Sequence, residues 1–497
     1  MINKYVWNLY LDAGGREVVE TFQKNINDGI SEEYISFIYD LQEDYCASTE
    51  ILKDTQDKLR EVYDLVKQDH LEPDQNDQDD VSDGEIEEIF SEIYEMTFQK
   101  NGVMSDKDEF LLFSSEVVGF STSLAIDFPD IFIPYYFFAN YNVLTMVAET
   151  FDIELPKLPK KADYKGRIWH YVRLCIALKH FREENDISPY ELLAFLYDFA
   201  PKYIGGKDSY ILKELPEPKS AFFIGGGGDN DDAIAENDPD KITRWQCNPE
   251  TRAGDMIVMY LRSPISSISS IWRSYSVGFI DPFFYYYRCT YIGSPRKIKR
   301  LSLDKIKKDA VLGKMPIVNK NMQGINGIEL KPSEYNHIVE KGKADVPLLE
   351  FVLESNDDNY VNEKAVEEKL IKPLISKLGY TEDDYVQQLS IPVGNHNTAL
   401  IPDFVLLPKC AGGHYSAYAI IEAKRSIIGE KKLEEVKTQA RSYAKILGVR
   451  YAVIASQEGV WVTSSKDDYS ETIIKSSWGE LRNSDTFYEL RRLIGNY

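Results

Sequence analysis

Cysteine is scarce in this sequence, and the distribution of the few that occur excludes two common uses of the residue. The five cysteines are Cys46, Cys175, Cys247, Cys289 and Cys410. They form no Cys-x-x-Cys pair and no zinc ligand set, and an odd, dispersed number is typical of reduced, mostly buried thiols. The sequence therefore excludes a disulfide-stapled secreted domain and a cysteine-based zinc domain.

Long hydrophobic runs and positive charge are also in short supply. No apolar run approaches the length of a membrane span and the first residues do not resemble a cleavable signal, so we expect a cytoplasmic protein without membrane contact. The chain has 57 Lys+Arg against 81 Asp+Glu, a net charge of -24. Proteins that bind nucleic acid non-specifically are normally basic, so we expect any contact with DNA to be local and controlled.

A nucleotide-binding loop is the third absence. The run Gly225-Gly226-Gly227-Gly228-Asp229 is rich in glycine but lacks the Gly-Lys-Ser/Thr that places a lysine on phosphates. The pattern does not occur elsewhere. We therefore expect no nucleotide site in this chain, and by itself it should not be an ATP-driven translocase.

The length of 497 residues indicates about three domains. We predict a multidomain α+β protein whose residues 1–215 form a mainly helical domain, because apolar residues recur at helical spacing over 34–65, 168–181 and 189–199. This region shows no catalytic group, and the sequence does not indicate its role.

The middle of the chain, residues 224–342, changes to short strand patterns. Arg252-Ala253-Gly254-Asp255 predicts a turn that leads into an apolar strand, Met256–Tyr260. We predict a helix over Ile265–Trp272 and a strand over Phe283–Ile292. Trp245 lies before the turn, and Met322-Gln323-Gly324 and Ser333-Glu334-Tyr335 come late in the segment.

These elements resemble an EVE domain of the PUA-like superfamily. The resemblance implies a small β-barrel whose aromatic pocket accepts a modified or flipped base, held by stacking and by hydrogen bonds to its edge. It implies a pocket made of Trp245, Tyr260, Trp272 and Gln323. The alternative is that the aromatic residues are the barrel core.

Two apolar segments in the last quarter, Ile401–Leu407 and Tyr418–Lys424, predict a pair of buried strands. Buried strands should not carry bare charges, because an unpaired ion in an apolar setting costs several kcal/mol. Asp403, Glu422 and Lys424 nevertheless lie on them, and alternation puts the last two on one face. Two carboxylates beside an ammonium make a hard-oxygen site suited to Mg²⁺, with Mn²⁺ expected to substitute.

The segments that flank this pair of strands predict two helices and a further strand. Residues 361–378 predict a helix kinked at Pro373, residues 433–447 predict a second helix, and Tyr451–Ile454 predicts a further strand. Gln439 and Tyr443 lie four residues apart and so share a helix face.

The motif Pro402-Asp403 … Glu422-Ala423-Lys424 with these flanks resembles the PD-(D/E)xK nucleases, in particular the nuclease domains of type I restriction endonuclease subunits. The resemblance covers roughly residues 346–478 and implies a restriction-endonuclease-like α/β core over 346–497. It implies metal ligation by Glu367, Asp403, Glu422 and the Ala423 carbonyl, catalysis by Lys424, and DNA contacts by Gln439 and Tyr443. Glu363, one turn before Glu367, is an alternative helix carboxylate. The simpler alternative is an ion pair at the edge of a sheet.

The two resemblances together predict a Mg²⁺-dependent DNA endonuclease, a modification-dependent restriction enzyme of antiviral defence that acts on modified phage DNA. The middle domain would sense the base and the last domain would cut. A homo-oligomer or a partner subunit stays open. The alternative is a non-cleaving protein that binds modified bases or RNA on a nuclease-fold scaffold within a larger complex.

Overall fold

The chain is a mixed α+β protein with a helical N-terminal region and several β-sheets. The computed structural model describes residues 2–43, 45–46, 49–69, 81–98, 104–205, 214–227, 242–350, 360–392, 399–411 and 414–496. The chain forms two compact units, unit 1 (Met1–Leu330 with Glu340–Val346) and unit 2 (Lys331–Val339 with Pro347–Tyr497). The division into three domains stays a prediction.

The N-terminal region of unit 1 is helical, as its apolar spacing predicts. Its helices are α1 (Lys4–Tyr10), α2 (Arg16–Asn27), α3 (Glu32–Glu43), α4 (Thr49–Asp69), α5 (Asp83–Phe98), α6 (Asp106–Asp127), α7 (Tyr141–Phe151), α8 (Tyr164–Glu184), α9 (Pro189–Ala194) and α10 (Ala200–Tyr203). Local chemistry marks several starts: Ser188 and Glu191 form a capping box before α9, and Asp163 caps α8.

Among the described helices, α6 is long and apolar enough to cross a membrane by length and composition. A core helix of a soluble protein passes the same test, and 56% of the apolar window of α6 is buried inside the protein. The absence of membrane contact stays an expectation. All five cysteines are free, and four of them are buried.

The second part of unit 1 is a seven-stranded sheet with the order β2-β6-β4-β3-β1-β7, in which β5 pairs with β6. Its strands are β1 (Ala221–Gly226), β2 (Thr243–Gln246), β3 (Met256–Leu261), β4 (Ser267–Ser274), β5 (Phe279–Ile280), β6 (Arg288–Ser302) and β7 (Ile328–Leu330). Strands β1 and β3 are parallel, and the other pairs are antiparallel. Two helices follow β6, α11 (Leu303–Lys308) and α12 (Pro316–Asn319).

The predicted turn before β3 is present, and its two central residues explain its shape. Gly254 has φ +89°, and a Cβ there would lie 2.5 Å from the carbonyl oxygen of Pro216. The buried Asp255 carboxylate accepts hydrogen bonds from the backbone N–H groups of Ser220 at 2.9 Å and Arg252 at 2.8 Å. The turn thereby ties the start of β3 to the start of β1.

Two predicted elements in this region are wrong. Residues 265–272 are not a helix, since Ser267–Ser274 forms the strand β4 between β3 and β6. Its isoleucines recur at helical spacing because β4 carries small buried serines and shifts register near Ser270. The strand predicted over Phe283–Ile292 begins only at Arg288, because residues 281–287 form a turn.

Unit 2 contains a six-stranded sheet with the order β17-β16-β15-β14-β11-β8. Its strands are β8 (Tyr385–Gln387), β11 (Phe404–Leu406), β14 (Ala419–Ala423), β15 (Tyr451–Ser456), β16 (Gly459–Ser464) and β17 (Thr472–Ser476). Two small two-stranded sheets lie outside it: β9 (Ile391–Pro392) pairs with β10 (Ala399–Leu400), and β12 (Lys409–Ala411) pairs with β13 (His414–Ser416). Its helices are α13 (Pro332–Gly342, of which residues 331–339 belong to this unit), α14 (Glu363–Val366), α15 (Lys372–Lys377), α16 (Glu430–Leu447) and α17 (Ser484–Ile494).

The helix, the two strands, the second helix and the further strand predicted between residues 361 and 454 are present in that order, and β8 is an additional strand. A helix precedes three antiparallel strands, β8, β11 and β14, and α16 then leads to β15, which lies parallel to β14. The irregularity predicted at Pro373 takes the form of a π-helical turn, Glu367–Ile371, between α14 and α15. Helices cover both sheet faces, since Phe404 packs in one core with the first helix and Val405 in another with α16.

Candidate functional site

Three charged side chains predicted from the sequence meet at the ends of β11 and β14. The carboxylate of Asp403, immediately before β11, accepts a hydrogen bond from the Ala423 N–H at 2.7 Å. Lys424 follows β14, and its Nζ donates to Oε1 of Glu422 and to the Ala423 carbonyl, each at 2.7 Å. The strand pairing therefore brings Asp403, Glu422 and Lys424 into one cluster.

The first helix adds two more carboxylates to the cluster. Glu363, Glu367 and Asp403 each offer a carboxylate oxygen, and these oxygens lie within 4.8 Å of one another. Glu363 also lies 3.8 Å from the Lys424 ammonium. Glu367 is buried, and its Oε2 accepts a hydrogen bond from Gln387 at 2.7 Å. The structure thus places both helix carboxylates near Asp403 rather than one of them.

Burial and mutual repulsion shape the protonation of these groups. Burial and the neighbouring Asp403 raise the pKa of Glu422 to about 7, although the hydrogen bond from Lys424 opposes the rise. Burial likewise raises the pKa of Asp403, and burial followed by Asp403 raises that of Glu367. Burial alone would lower the pKa of Lys424, but its hydrogen bond to Glu422 reverses that and the pKa is raised. The cluster concentrates negative charge around a single ammonium.

One carboxylate oxygen of the cluster lacks a hydrogen-bond donor among the described residues. Oε2 of Glu422 is buried and has no hydrogen-bond partner among the described residues. A buried carboxylate oxygen without a donor is costly, and a cation would satisfy it. Carboxylate and carbonyl oxygens are the ligands that Mg²⁺ and Mn²⁺ prefer. The donor set therefore fits a hard divalent cation.

Gln439 and Tyr443 lie on α16, and the structure places them on one face. Gln439 Nε2 donates to the Tyr443 hydroxyl at 3.0 Å, and both side chains are partly exposed. The i, i+4 spacing in the sequence is sufficient to predict this contact.

Sequence reasoning missed Glu458, which anchors the segment that follows Lys424. Its carboxylate accepts hydrogen bonds from the Ser426 hydroxyl, the Ile427 N–H and the Ser456 hydroxyl. Burial would raise its pKa, but these hydrogen bonds lower it to about 2. No sequence signal marks this residue, because its partners on the first segment lie 31 and 32 positions earlier and meet it only through the β14–β15 pairing.

The raised pKa of Glu422 predicts that the substitution Glu422→Gln stabilises the metal-free protein at alkaline pH. The folded state holds the proton more tightly than the unfolded chain, so stability falls as the pH rises from about 4.5 to about 7. In EDTA at pH 8 we expect the variant to gain about 1–3 kcal/mol in free energy of unfolding. Near pH 4 the gain should vanish. Urea titrations at both pH values measure it.

The exposed Glu435 on α16 supplies the matched control for that titration. Glu435→Gln should change the free energy of unfolding by no more than about 0.5 kcal/mol at either pH. A loss of stability in Glu422→Gln at pH 8, or an equal gain at both pH values, would contradict the assignment of a raised pKa.

Unit 1 contains a cavity of about 580 Å³ beside the first sheet. Two of the four predicted base-binding residues, Tyr260 and Gln323, line it. Trp245 does not line the cavity but donates from Nε1 to the carbonyl of Gly225, which does, at 3.2 Å. Trp272 is 1% exposed and packs in the sheet core, with Nε1 bonded to the Ser270 hydroxyl. Trp272 therefore belongs to the core and not to the cavity wall.

Several lining residues were not predicted from the sequence. Gln246 is buried and donates from Nε2 to the Gly225 carbonyl at 2.9 Å. Tyr164, Tyr285 and Tyr286 add aromatic surface beside Tyr260. The dense aromatic run 283–287 is the signal that could have indicated the two neighbouring tyrosines, but as a predicted strand it suggested core residues.

Comparisons with known proteins identify no family. No protein-family model and no curated protein matches the chain. An NMR structure of Rpa0253 from Rhodopseudomonas palustris matches with 14% identity, covering 25% of this chain and 93% of that one, at a TM-score of 0.21. A crystal structure of Atu2648 from Agrobacterium tumefaciens matches with 14% identity, covering 26% of this chain and 97% of that one, at a TM-score of 0.22. Both TM-scores lie below 0.5, so neither likeness bears on fold or function.

Proposed function

We propose that the protein is a metal-dependent DNA endonuclease with a restriction-endonuclease-like catalytic unit, and that it acts on modified DNA. The observation that carries the proposal is the cluster of Glu363, Glu367, Asp403, Glu422 and Lys424 at the ends of two buried strands. Such a concentration of carboxylates costs stability, since burial already raises the pKa of three of them. A catalytic role explains why the fold carries that cost.

Mg²⁺ or Mn²⁺ would be held by Asp403, Glu422, Glu367 and the Ala423 carbonyl, with Glu363 as a further ligand. When bound, the ion supplies Lewis-acid polarisation of the phosphoryl oxygen and neutralises its charge. The elements position each donor: β14 carries Glu422, Asp403 immediately precedes β11, and Gln387 on β8 holds the Glu367 carboxylate by a hydrogen bond.

Lys424 would act on the reacting phosphate itself. Its hydrogen bonds to Glu422 and to the Ala423 carbonyl fix the ammonium beside the carboxylates, and its raised pKa keeps it protonated at neutral pH. A fixed cation there orients the attacking water and stabilises the charge that develops on the phosphate. Gln439 and Tyr443 on α16 would contact the DNA strand.

The unit 1 cavity would accept the modified base, lifted from the helix. A flipped base needs aromatic stacking and hydrogen bonds to its edge, and Tyr260 and Gln323 supply both kinds of group. Trp272 has no part in this proposal, because it lies in the sheet core. The EVE-like interpretation of the sheet belongs to the same proposal.

Cleavage assays on matched plasmids test the whole proposal. Purified protein is incubated with Mg²⁺ or Mn²⁺ and plasmids that carry plain cytosine, methylated cytosine or hypermodified phage bases. We expect cleavage that requires the metal and favours one modified plasmid. The absence of cleavage on every plasmid, with binding retained, would favour the alternative of a non-cleaving protein that binds modified bases.

The substitution Gln323→Ala should remove the preference for modified DNA without removing cleavage. Gln323 is exposed at the cavity and carries an amide that can pair with a base edge, whereas plain cutting depends on the unit 2 cluster. Loss of one such hydrogen-bonding group costs roughly 1–3 kcal/mol of discrimination. Titrations with plain and modified duplexes measure the ratio of affinities. Asn319→Ala, exposed and outside the cavity lining, should keep that ratio.

A further inference from the structure

The helical region of unit 1 supplies part of the cavity wall. Lys161 lies in the loop before α8 and Tyr164 in its first turn, and both line the cavity together with residues of the sheet region. The sequence indicated no role for this region. The cavity is therefore built jointly by the helices and the sheet of unit 1.

A buried arginine connects the helical and the aromatic parts of the wall. Arg167 on α8 is fully buried, and its guanidinium donates to the carbonyls of Pro282 at 2.7 Å, Phe284 at 2.5 Å and Lys161 at 3.0 Å. The same contact fixes the loop of Lys161 and the turn that carries Tyr285 and Tyr286. Arg167 is thus a positioning residue for both walls.

Two further contacts hold the aromatic turn. The Tyr287 hydroxyl donates to the carbonyl of Pro159 at 2.6 Å, two residues before Lys161. At the other end of the turn, the buried Asp281 forms an ion pair with Arg244 at 2.5 Å. The turn is held at both ends, so the tyrosines meet a ligand as a preformed surface, which lowers the ordering cost of binding.

The charged side chains among the described lining residues are opposite in sign to the net charge of the chain. Lys161 and Arg262 are the two charged side chains among the described lining residues, and none of those residues is acidic. The whole chain has 81 acidic against 57 basic residues. Both cations are exposed, and Arg262 Nε donates to the Gly226 carbonyl, which uses one of the five N–H donors of its guanidinium.

We propose that the cavity binds a whole nucleotide, with the base among Tyr164, Tyr260 and Tyr286 and a phosphate on Lys161 and Arg262. This inference rests on the proposed function, because a base lifted from a DNA strand brings its own phosphates with it. The volume of about 580 Å³ lies within the roughly 300–1,000 Å³ of pockets that bind small-molecule ligands. Arginine and lysine are the side chains that bind phosphate best, through charge-assisted hydrogen bonds.

Calorimetry on the whole 497-residue chain in EDTA tests the inference. The probes are dCMP, 5-methyl-dCMP and 5-hydroxymethyl-dCMP, the three matching nucleosides, and inorganic phosphate. We expect at least one nucleotide to bind about ten- to a hundredfold more tightly than its nucleoside, because hydrogen bonds to a charged group contribute a free energy that corresponds to that ratio of affinities. The double variant Lys161→Ala/Arg262→Ala should bind that nucleotide and its nucleoside equally.

The control variant removes the same charge elsewhere. Lys160→Ala/Arg296→Ala changes two exposed cations outside the cavity lining and should keep the full difference. The inference is overturned if nucleotide and nucleoside bind equally to the wild type, if phosphate alone binds as tightly as the nucleotide, or if the double variant keeps the difference. None of these three outcomes would contradict the proposal that the protein recognises a modified base within DNA.

A duplex arm separates the inference from the proposed function. A short duplex that carries the preferred base at a mismatch is compared with the mononucleotide. Tighter binding of the duplex supports a nucleotide drawn from a DNA strand. Tighter binding of the mononucleotide keeps the nucleotide site but removes modified DNA as its ligand. Failure of every nucleotide to bind overturns the inference, whereas the proposed base recognition is then decided by the duplex titration and the proposed cleavage by the assay on the unit 2 cluster.

Discussion

Replacing Asp403 by asparagine is expected to abolish metal-dependent DNA cleavage, with a loss of roughly 10³-fold or more. Asp403 is the residue that connects the two halves of the cluster: its carboxylate lies within 4.8 Å of those of Glu363 and Glu367, and it accepts a hydrogen bond from the Ala423 N–H beside Glu422. An amide keeps the size of the side chain but removes the negative charge that binds a divalent cation. Cleavage of the preferred plasmid in Mg²⁺ and in Mn²⁺ measures the loss.

The fold of the Asp403→Asn variant should be intact, because a neutral amide relieves repulsion among buried carboxylates. Circular dichroism and the unfolding midpoint in EDTA check this. Asp383→Asn, an exposed aspartate in the same unit, is the control and should cleave as the wild type does. Cleavage by Asp403→Asn within a few-fold of wild type would remove the cluster as the active site.

The C-terminal unit was the most predictable part of the chain, and the reason is local. The segments around Phe404 and Ile421 are apolar enough to be buried strands. Charged residues are not expected on such strands unless they have a structural or functional role. Alternation then places Glu422 and Lys424 on one face without any knowledge of the fold. The helical periodicities of α16 and of the helix before β8 predicted the rest of the order.

Other features depend on contacts that a local pattern does not contain. β4 is buried on both faces, serines included, so the alternation that marks a strand is lost, which made Ile265–Trp272 resemble a helix. Glu458 acts through residues on another strand. The cavity combines Lys161 from the helical region with Gln323 from the sheet region, more than 150 positions later in the chain. Long-range packing sets these features.

The substitution Lys424→Ala is expected to slow cleavage by roughly 10²–10³-fold while metal binding is retained. The carboxylates that would hold the ion remain, and removal of the ammonium 2.7 Å from Glu422 increases the negative charge available to a cation. Under the proposed function, the variant loses the fixed positive charge that would lie beside the reacting phosphate and act mainly on the transition state. The loss should therefore appear in kcat with little change in KM.

Calorimetry with Mn²⁺ and single-turnover cleavage together decide the role of Lys424. Metal uptake should persist in Lys424→Ala, and Lys432→Ala, which removes an exposed lysine of α16, should change neither measurement. Loss of metal uptake together with cleavage would mean that Lys424 organises Glu422 rather than the phosphate. The variant Lys424→Arg distinguishes the two roles. Its guanidinium can still pair with Glu422, so the metal site should be kept. The planar guanidinium cannot take the position of the ammonium, which is held by both Glu422 and the Ala423 carbonyl. We expect Lys424→Arg to bind Mn²⁺ as the wild type does and to cleave as poorly as Lys424→Ala, because the position of the charge sets the rate.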